Sequence, residues 1–303
     1  MSIRAVQTDI LIVGAGPAGL TAGMYAARAG KRTLILQGRA PSRLGVDYPI
    51  ENYPGFPSIG SRELLEKFRT QALSFGAEIV QGDAVAFGLE SDPKYVTTKD
   101  SLIEAGAVIL ATGKPVPRER LVPGEERLIG QGVSYCATCD GPLFRGADVV
   151  AVGHSEEARE DVEALLQLGC RVHWVPGKPL AGPEAEAAAR LEARGADVRW
   201  TSRLTEVVGT DRVEKVRLEA EGRVGELAAA AVFIFRDIPA APVFGRAGLT
   251  LDHKQCIAVD RFQRTNIPGV LAAGDVTCGG LQVVAAAGEG CVAALQALVF
   301  LRK

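Results

Sequence analysis

Two clusters in this sequence carry the residues best suited to do chemistry. The first is Cys136-Ala137-Thr138-Cys139-Asp140. Two intervening residues let both thiols come within disulfide reach in a single helical turn. In disulfide exchange the thiolate is the attacking form, and Asp140, directly beside the pair, could hold or deliver the proton that its neighbour releases. On spacing alone, metal ligation and chance proximity stay open beside redox exchange. The second cluster is Gly14-Ala15-Gly16-Pro17-Ala18-Gly19. In that pattern Gly14 permits a tight turn, Gly16 lets the backbone approach a pyrophosphate, and Gly19 allows close helix–strand packing.

Such a glycine cluster means something only between a strand and a helix. Residues 9–13 are a short apolar run of the kind found in central parallel strands, the run after Gly19 is helix-compatible to Arg28, and residues 33–36 are the next strand. The helix N-terminus then offers free N–H groups and a positive dipole end to phosphates. The unit recurs. Residues 148–152 form a second strand followed by Gly153, a helical pattern runs over 156–168, and residues 172–175 are another strand. The spacing from Gly14 to Gln37 equals that from Gly153 to Pro176, so two nucleotide-binding-type units are expected.

The second copy differs where a phosphate would sit. Ser155 stands where a glycine would let backbone meet pyrophosphate, and Glu156 and Glu157 bring negative charge to the helix start. After its second strand comes Pro176-Gly177-Lys178, with no arginine fork for a 2′-phosphate. Residues 107–113, ending in Ala111-Thr112-Gly113, and residues 270–276, ending in Gly274-Asp275-Val276, read as two more buried strands. Asp275 is suited to accept hydrogen bonds from a ribityl or ribose hydroxyl. The first domain is therefore expected to be split, 1–116 with 245–303, and the second inserted as 117–244, with Pro115, Pro117, Pro239 and Pro242 near the crossings. The fold class is α/β, with two dinucleotide-binding, Rossmann-like domains.

Composition bounds the function. The 34 basic and 36 acidic residues nearly cancel, which argues against nucleic-acid binding. Of six cysteines only Cys136 and Cys139 are close in sequence; Cys170, Cys256, Cys278 and Cys291 are read as separate core residues. No second pair completes a zinc site, and His154, His173 and His253 give no metal pattern, so no metal is expected. The uncharged stretch from Ile10 to Ala27 reaches the lower limit of a membrane span, but its glycines and Pro17 mark a strand, turn and helix. No targeting segment is visible, and a cytoplasmic, membrane-free setting is expected.

Taken together, these residues resemble the low-molecular-weight thioredoxin reductases, FAD-dependent disulfide oxidoreductases with two dinucleotide-binding domains. The resemblance rests on 14–19, on Ile50-Glu51-Asn52-Tyr53-Pro54-Gly55-Phe56-Pro57, on 111–113, on the cysteine motif through Gly141, on 274–276, and on the flavin-facing run from Gln282 and Val283 to Gly290. It implies FAD in the split domain, a homodimer, and a middle domain that rotates between two orientations. It implies that Cys139 exchanges electrons with flavin, that Cys136 attacks the partner disulfide and that Asp140 is the general acid. The cofactor set is Gly14, Ala15, Gly16, Pro17, Ala18, Gly19, Gln37, Asn52, Ala111, Thr112, Gly113, Gly274, Asp275, Gln282 and Val283.

Several positions depart from the family. The family's Gly-x-Gly-x-x-Ala falls on Gly153-His154-Ser155-Glu156-Glu157-Ala158, its His-Arg-Arg run on Pro176-Gly177-Lys178, and its Ile-Gly pair on about Arg236-Asp237. Its Gly-Gly-Gln-Leu is here Pro41-Ser42-Arg43-Leu44, a frequent acid near Gln37 is neutral, and its partner-docking aromatics fall on Pro142 and Leu143. Relatives lacking the nicotinamide fingerprint include reductases fed by ferredoxin and dithiol oxidases that use oxygen. The expectation is an FAD-dependent dithiol–disulfide oxidoreductase acting on a thioredoxin-like disulfide or small dithiol. Its donor is expected to differ from NADPH, with a ferredoxin-type protein as the candidate. A dithiol oxidase, an ordinary NADPH-dependent thioredoxin reductase and a flavin-bound redox sensor are the alternatives.

Overall fold

The computed structural model describes residues 4–39, 42–45, 47–114, 121–235, 242–279 and 281–302. The chain divides into two compact units, Met1–Pro115 with Ile238–Lys303, and Val116–Asp237. In chain order the first stretch holds β1 (Arg4–Val13), α1 (Pro17–Arg28), β2 (Thr33–Gln37) and a small hairpin of β3 (Pro49–Ile50) and β4 (Ile59–Gly60). It continues through α2 (Ser61–Ser74), β5 (Glu78–Gln81), β6 (Ala86–Gly88), β7 (Lys94–Thr97) and β8 (Ser101–Leu110). The inserted unit opens with β9 (Val133–Ser134), α3 (Ala137–Asp140), β10 (Asp148–Val152), α4 (Glu156–Gln167) and β11 (Arg171–Val175). It ends with α5 (Pro183–Ala193), β12 (Asp197–Val198), β13 (Arg203–Val208), β14 (Lys215–Ala220), β15 (Arg223–Ala228) and β16 (Ala231–Ile234). The return adds α6 (Pro242–Arg246), β17 (Val270–Ala272) and α7 (Val283–Phe300).

In the first unit the strands run β5-β2-β1-β8-β7-β6, with β17 also on β8. The pairs from β5 to β8, and β17 on β8, are parallel, whereas β7 and β6 add an antiparallel flank. Ile10, Leu11 and Ile12 of β1 have no exposed surface, as a central strand covered on both faces requires. Burying each such side chain contributes roughly 1.5–3 kcal/mol. One face packs on α1 and α7 through Ala22, Ala26, Ala293 and Ala297, all fully buried. The α7 helix is long and apolar enough to cross a membrane, but its alanine face belongs to this core.

The inserted unit repeats the centre of that plan. Its parallel order is β12-β11-β10-β16-β9, and β11-β10-β16 corresponds to β2-β1-β8. The correspondence extends to single bonds. Gly14 N donates to Leu36 O at 2.8 Å and Gly153 N to Val175 O at 3.0 Å, while Ala111 N reaches Val13 O and Phe235 N reaches Val152 O. Both glycines hold positive φ, +118° and +140°, and a Cβ on either would overlap the carbonyl oxygen of Ala111 or Phe235. A side chain is therefore excluded at each turn by backbone conformation and by space.

Some boundaries differ from the sequence reading. The strand expected over 270–276 stops at Ala272, because Gly274 at φ +79° turns the chain into a 3-10 turn at Asp275–Thr277. The return to the first unit comes before residue 245: Phe244 is buried in the first unit's core, among Leu249, Ile257 and Val276. Pro115, Pro117 and Pro239 lie outside the described residues, as do Pro41 and Arg236-Asp237. An antiparallel sheet, β13-β14-β15, was not anticipated in the inserted unit.

Candidate active site

The first unit holds a cavity of about 900 Å³ at the C-terminal ends of β1, β2 and β8. That is where parallel α/β sheets take ligands. Thirteen of the fifteen cofactor residues expected from sequence line it: Gly14 to Ala18, Gln37, Ala111 to Gly113, Gly274, Asp275, Gln282 and Val283. Gly19 and Asn52 stand just behind. A Cβ on Gly19 would overlap Gly14 O, so Gly19 sets the helix–turn approach. Asn52 Nδ2 donates to Gln282 Oε1 at 3.2 Å and so fixes a lining side chain.

The start of α1 is open. Its N-cap is Gly16, no side chain caps it, and its first turn has no acid. Its leading N–H groups and positive dipole end face the cavity without competition from the chain itself. The lining sets Arg43, Arg62, Arg69 and Lys114 against Glu66, Asp83 and Asp275. Thr112 Oγ1 is buried with no hydrogen-bond partner among the described residues, an acceptor and donor that a ligand hydroxyl or ring polar group would satisfy. These features fit a large dinucleotide with an anionic diphosphate.

Other contacts in and behind the lining escaped the sequence reading. Arg69 Nη1 donates to Gln37 Oε1 at 2.7 Å, so the neutral residue at the end of β2 is anchored by a cation. Arg43, within the stretch that departs from the family, reaches Asp275 at 3.6 Å. Glu289 of α7 accepts from Gly274 N at 2.6 Å and from Thr277 Oγ1 at 3.3 Å, holding the turn that presents Asp275. Burial pushes the Glu289 carboxyl up, opposed by those two donors, with Asp275 adding to the rise.

The corresponding place in the inserted unit is closed. Ser155 is the N-cap of α4 and its Oγ accepts from Ala158 N at 3.1 Å. Glu156 and Glu157 occupy the first turn, and Arg159 Nη1 turns back onto His154 O at 2.9 Å. Trp174 Nε1 takes the Gly153 carbonyl at 2.7 Å. A helix start that is already capped and carries two carboxylates is less favourable to a phosphate than the open start of α1. Lys178, the lone cation after β11, leans toward Glu184 at 3.8 Å.

Cys136 and Cys139 are joined in a disulfide with Cα atoms 5.3 Å apart, bridging the start of the one-turn helix α3. Cys139 N donates to Cys136 Sγ at 3.1 Å, and Thr138 Oγ1 lies 3.3 Å from the same sulfur. Asp140 follows, half-buried, and accepts from Ser134 Oγ at 2.6 Å. Burial raises the Asp140 carboxyl above its ordinary range, and the Ser134 bond opposes part of that rise. The strand entering the pair is anchored by Tyr135 Oη, which donates to buried Glu125 at 2.9 Å. The sequence reading missed Ser134, Tyr135 and Glu125. It also took all four remaining cysteines as separate core residues. Cys170 and Cys291 are separate, but the chain fold joins Cys256 to Cys278, 22 positions apart.

Comparison with known proteins agrees with this geometry. The family model for pyridine nucleotide-disulphide oxidoreductases matches residues 8–290. The chain belongs to that family. It is 37% identical over 302 residues to a thioredoxin reductase of Aquifex aeolicus, covering 97% of this chain and 93% of the relative. A thioredoxin reductase structure from Streptococcus pyogenes superposes with a TM-score of 0.86 at 34% identity, covering 98% of this chain and 99% of that one. A ferredoxin-flavin thioredoxin reductase from Clostridium acetobutylicum superposes with a TM-score of 0.54 at 32% identity, covering 99% of both chains. The protein is thus an enzyme of the low-molecular-weight thioredoxin reductase type, an FAD-dependent disulfide oxidoreductase.

Proposed function

We propose that the chain passes electrons between FAD and the Cys136–Cys139 pair, and from that pair to a thioredoxin-like protein disulfide, with a donor other than NADPH. The observation that carries the donor reading is the contrast between the two helix starts. The α1 start is uncapped by any side chain and free of acid, whereas α4 is capped by Ser155 and bears Glu156 and Glu157. A ferredoxin-type one-electron carrier is the donor we favour, since a structural relative is a ferredoxin-flavin thioredoxin reductase.

When bound, FAD supplies a store of two electrons that can be filled singly or as a pair. In this reading the α1 N–H groups would hold its diphosphate, Asp275 its ribityl hydroxyls, and Thr112 with the Asn52–Gln282 pair its ring. Cys139 would be the sulfur that takes the electron pair, the Cys136–Cys139 bond breaking to leave two thiol groups. Cys136, with the Cys139 N–H and the Thr138 hydroxyl directed at its sulfur, becomes the attacking thiolate. Its attack breaks the partner's S–S bond and forms a mixed disulfide. Cys139 then displaces the partner's second thiolate, restoring Cys136–Cys139. Asp140 delivers a proton to a departing sulfur. Leu143, 62% exposed beside the pair, gives a protein partner an apolar contact.

The proposal includes a cytoplasmic homodimer. Val284, Leu295 and Val299 form an exposed apolar stripe along α7, and a second copy would cover it. The test is steady-state reduction of thioredoxin disulfide with a reduced ferredoxin and, separately, with NADPH. Turnover with ferredoxin alone supports the reading. Comparable turnover with NADPH overturns it, and peroxide formation from oxygen with a small dithiol as the main activity would identify a dithiol oxidase instead.

A further inference from the structure

Cys256 and Cys278 play no part in the chemistry described above, yet the fold brings them together beside the flavin unit's most specialised turn. Their Cα atoms are 5.9 Å apart, within the usual disulfide range of about 4.4–6.8 Å. Cys256 is fully buried, at the end of a turn that Asp252 Oδ1 organises by accepting from Lys254 N and Cys256 N at 2.9 and 2.8 Å. Cys278 is half-buried and closes the 3-10 turn that begins at Asp275. Its φ of +60° is a left-handed conformation that a cysteine seldom adopts unless held there. The two segments are already in register, since Ile257 N donates to Val276 O at 2.9 Å.

We propose that Cys256–Cys278 is a second, redox-responsive disulfide that straps the Asp275 turn and slows release of FAD. The turn has one covalent fastening beside its hydrogen bonds to Glu289 and from Ile257 N. Glu289 holds its start through Gly274 N, and the cysteine pair holds its end. Asp275, which lines the cavity, lies between them. With the strap closed, the turn cannot swing from the cavity without also moving the 251–257 segment. With it open, hydrogen bonds alone hold the turn, from Gly274 N and Thr277 Oγ1 to Glu289 and from Ile257 N to Val276 O.

The bond forms by exchange with a small-molecule disulfide, RS–SR. The half-buried Cys278 thiolate attacks, the RS–SR bond breaks, Cys278–S–S–R forms, and one thiol leaves. Cys256 then displaces the second thiol. Two electrons pass from the cysteine pair to RS–SR, and the two cysteine protons leave on two RSH molecules. A small dithiol runs the same steps in reverse. In a reducing compartment, such a bond belongs to the responsive rather than the permanent class.

The test uses the Cys136→Ser/Cys139→Ser holoprotein, where only this pair can form the bond and the flavin stays oxidised when dithiothreitol is added. Thiols are counted after glutathione-disulfide treatment and denaturation without reductant, with peptide mapping under the same conditions. The expected result is two thiols, Cys170 and Cys291, and a linked peptide pair carrying Cys256 and Cys278. FAD release, followed by fluorescence on dilution, should quicken several-fold after dithiothreitol. Adding Cys278→Ser should give the faster rate with or without dithiol. Four thiols in the treated protein, another pairing, or equal release rates before and after dithiol would overturn the proposal. The donor reading is not involved: a protein reduced rapidly by NADPH could still hold this strap.

Discussion

Replacing Ser134 by alanine removes one hydroxyl and should move the pH dependence of disulfide reduction by about tenfold in proton concentration. Ser134 is buried and its Oγ donates to Asp140 Oδ2 at 2.6 Å, while accepting from Cys136 N at 3.1 Å. A hydrogen bond to a charged group contributes about 1.5–3 kcal/mol. Asp140 keeps some contact with solvent, so the lower figure applies, and about 1.4 kcal/mol is a factor of ten in the ionisation equilibrium. Burial already raises the Asp140 carboxyl, and the Ser134 bond opposes it. Without that bond the protonated form persists to higher pH. An acid that must be protonated to act loses activity as pH rises through its pKa, so the alkaline limb should move upward in Ser134→Ala. Stability follows the same sign: a raised folded-state pKa favours the fold at low pH, and this contribution is lost as pH rises through it. The assay is single-turnover reduction of the Cys136–Cys139 disulfide from pH 5 to 9, for the wild type, Ser134→Ala and Asp140→Asn. Superimposable profiles for wild type and Ser134→Ala, or a limb retained in Asp140→Asn, would refute the assignment of Asp140.

Three further outcomes are expected. Burial, with help from Glu157 and Glu160, pushes Asp161 up to about 7, so stability falls as pH rises from about 4 to about 7. Allowing for solvent screening at this partly exposed group, Asp161→Asn should add about 1–2 kcal/mol at pH 8.5, less at pH 5 and nothing below about pH 4, seen in calorimetry as a gain of about 2–8 °C at pH 8.5 that shrinks steadily toward acid. Gly14→Ala combines a φ of +118° with overlap of Ala111 O, costing upward of about 3 kcal/mol. It should yield protein that has lost FAD, read from the ratio of flavin to protein absorbance, and normal cofactor content would contradict the turn's role. Cys139→Ser should keep its flavin spectrum but lose dithiol-driven bleaching by at least about a thousandfold, as expected when one member of a working pair is removed.

The parallel-sheet cores were legible in the sequence because their strands are unbroken apolar runs ended by glycine. Residues 9–13, 33–36 and 148–152 lie in β1, β2 and β10. The repeat was legible for the same reason, since each strand ends in a glycine, Gly14 or Gly153, and the next strand follows at the same spacing. The β13-β14-β15 sheet was missed although β14 alternates, with Val216 and Leu218 buried between Lys215, Arg217 and Glu219. Its signal is period-two and weakly apolar, and the outer strand β15 is mostly exposed. The groups missed around the site share a different cause. Glu289 on Gly274, Arg69 on Gln37 and Cys256 on Cys278 are contacts between distant segments, and nothing local in sequence marks one partner for the other. Ser134, six residues from Asp140, was nearer to hand. A serine two positions ahead of a cysteine pair carries no distinctive pattern until a turn folds it back.

The central claim is that the α4 start no longer serves NADPH while the flavin and dithiol remain in working order. Anaerobic stopped-flow mixing of the oxidised holoenzyme with excess NADPH, followed at the flavin absorbance, tests it most directly, with dithiothreitol in a parallel syringe. Dithiothreitol should bleach the flavin readily and NADPH slowly or not at all. Rapid bleaching at micromolar NADPH would contradict the claim.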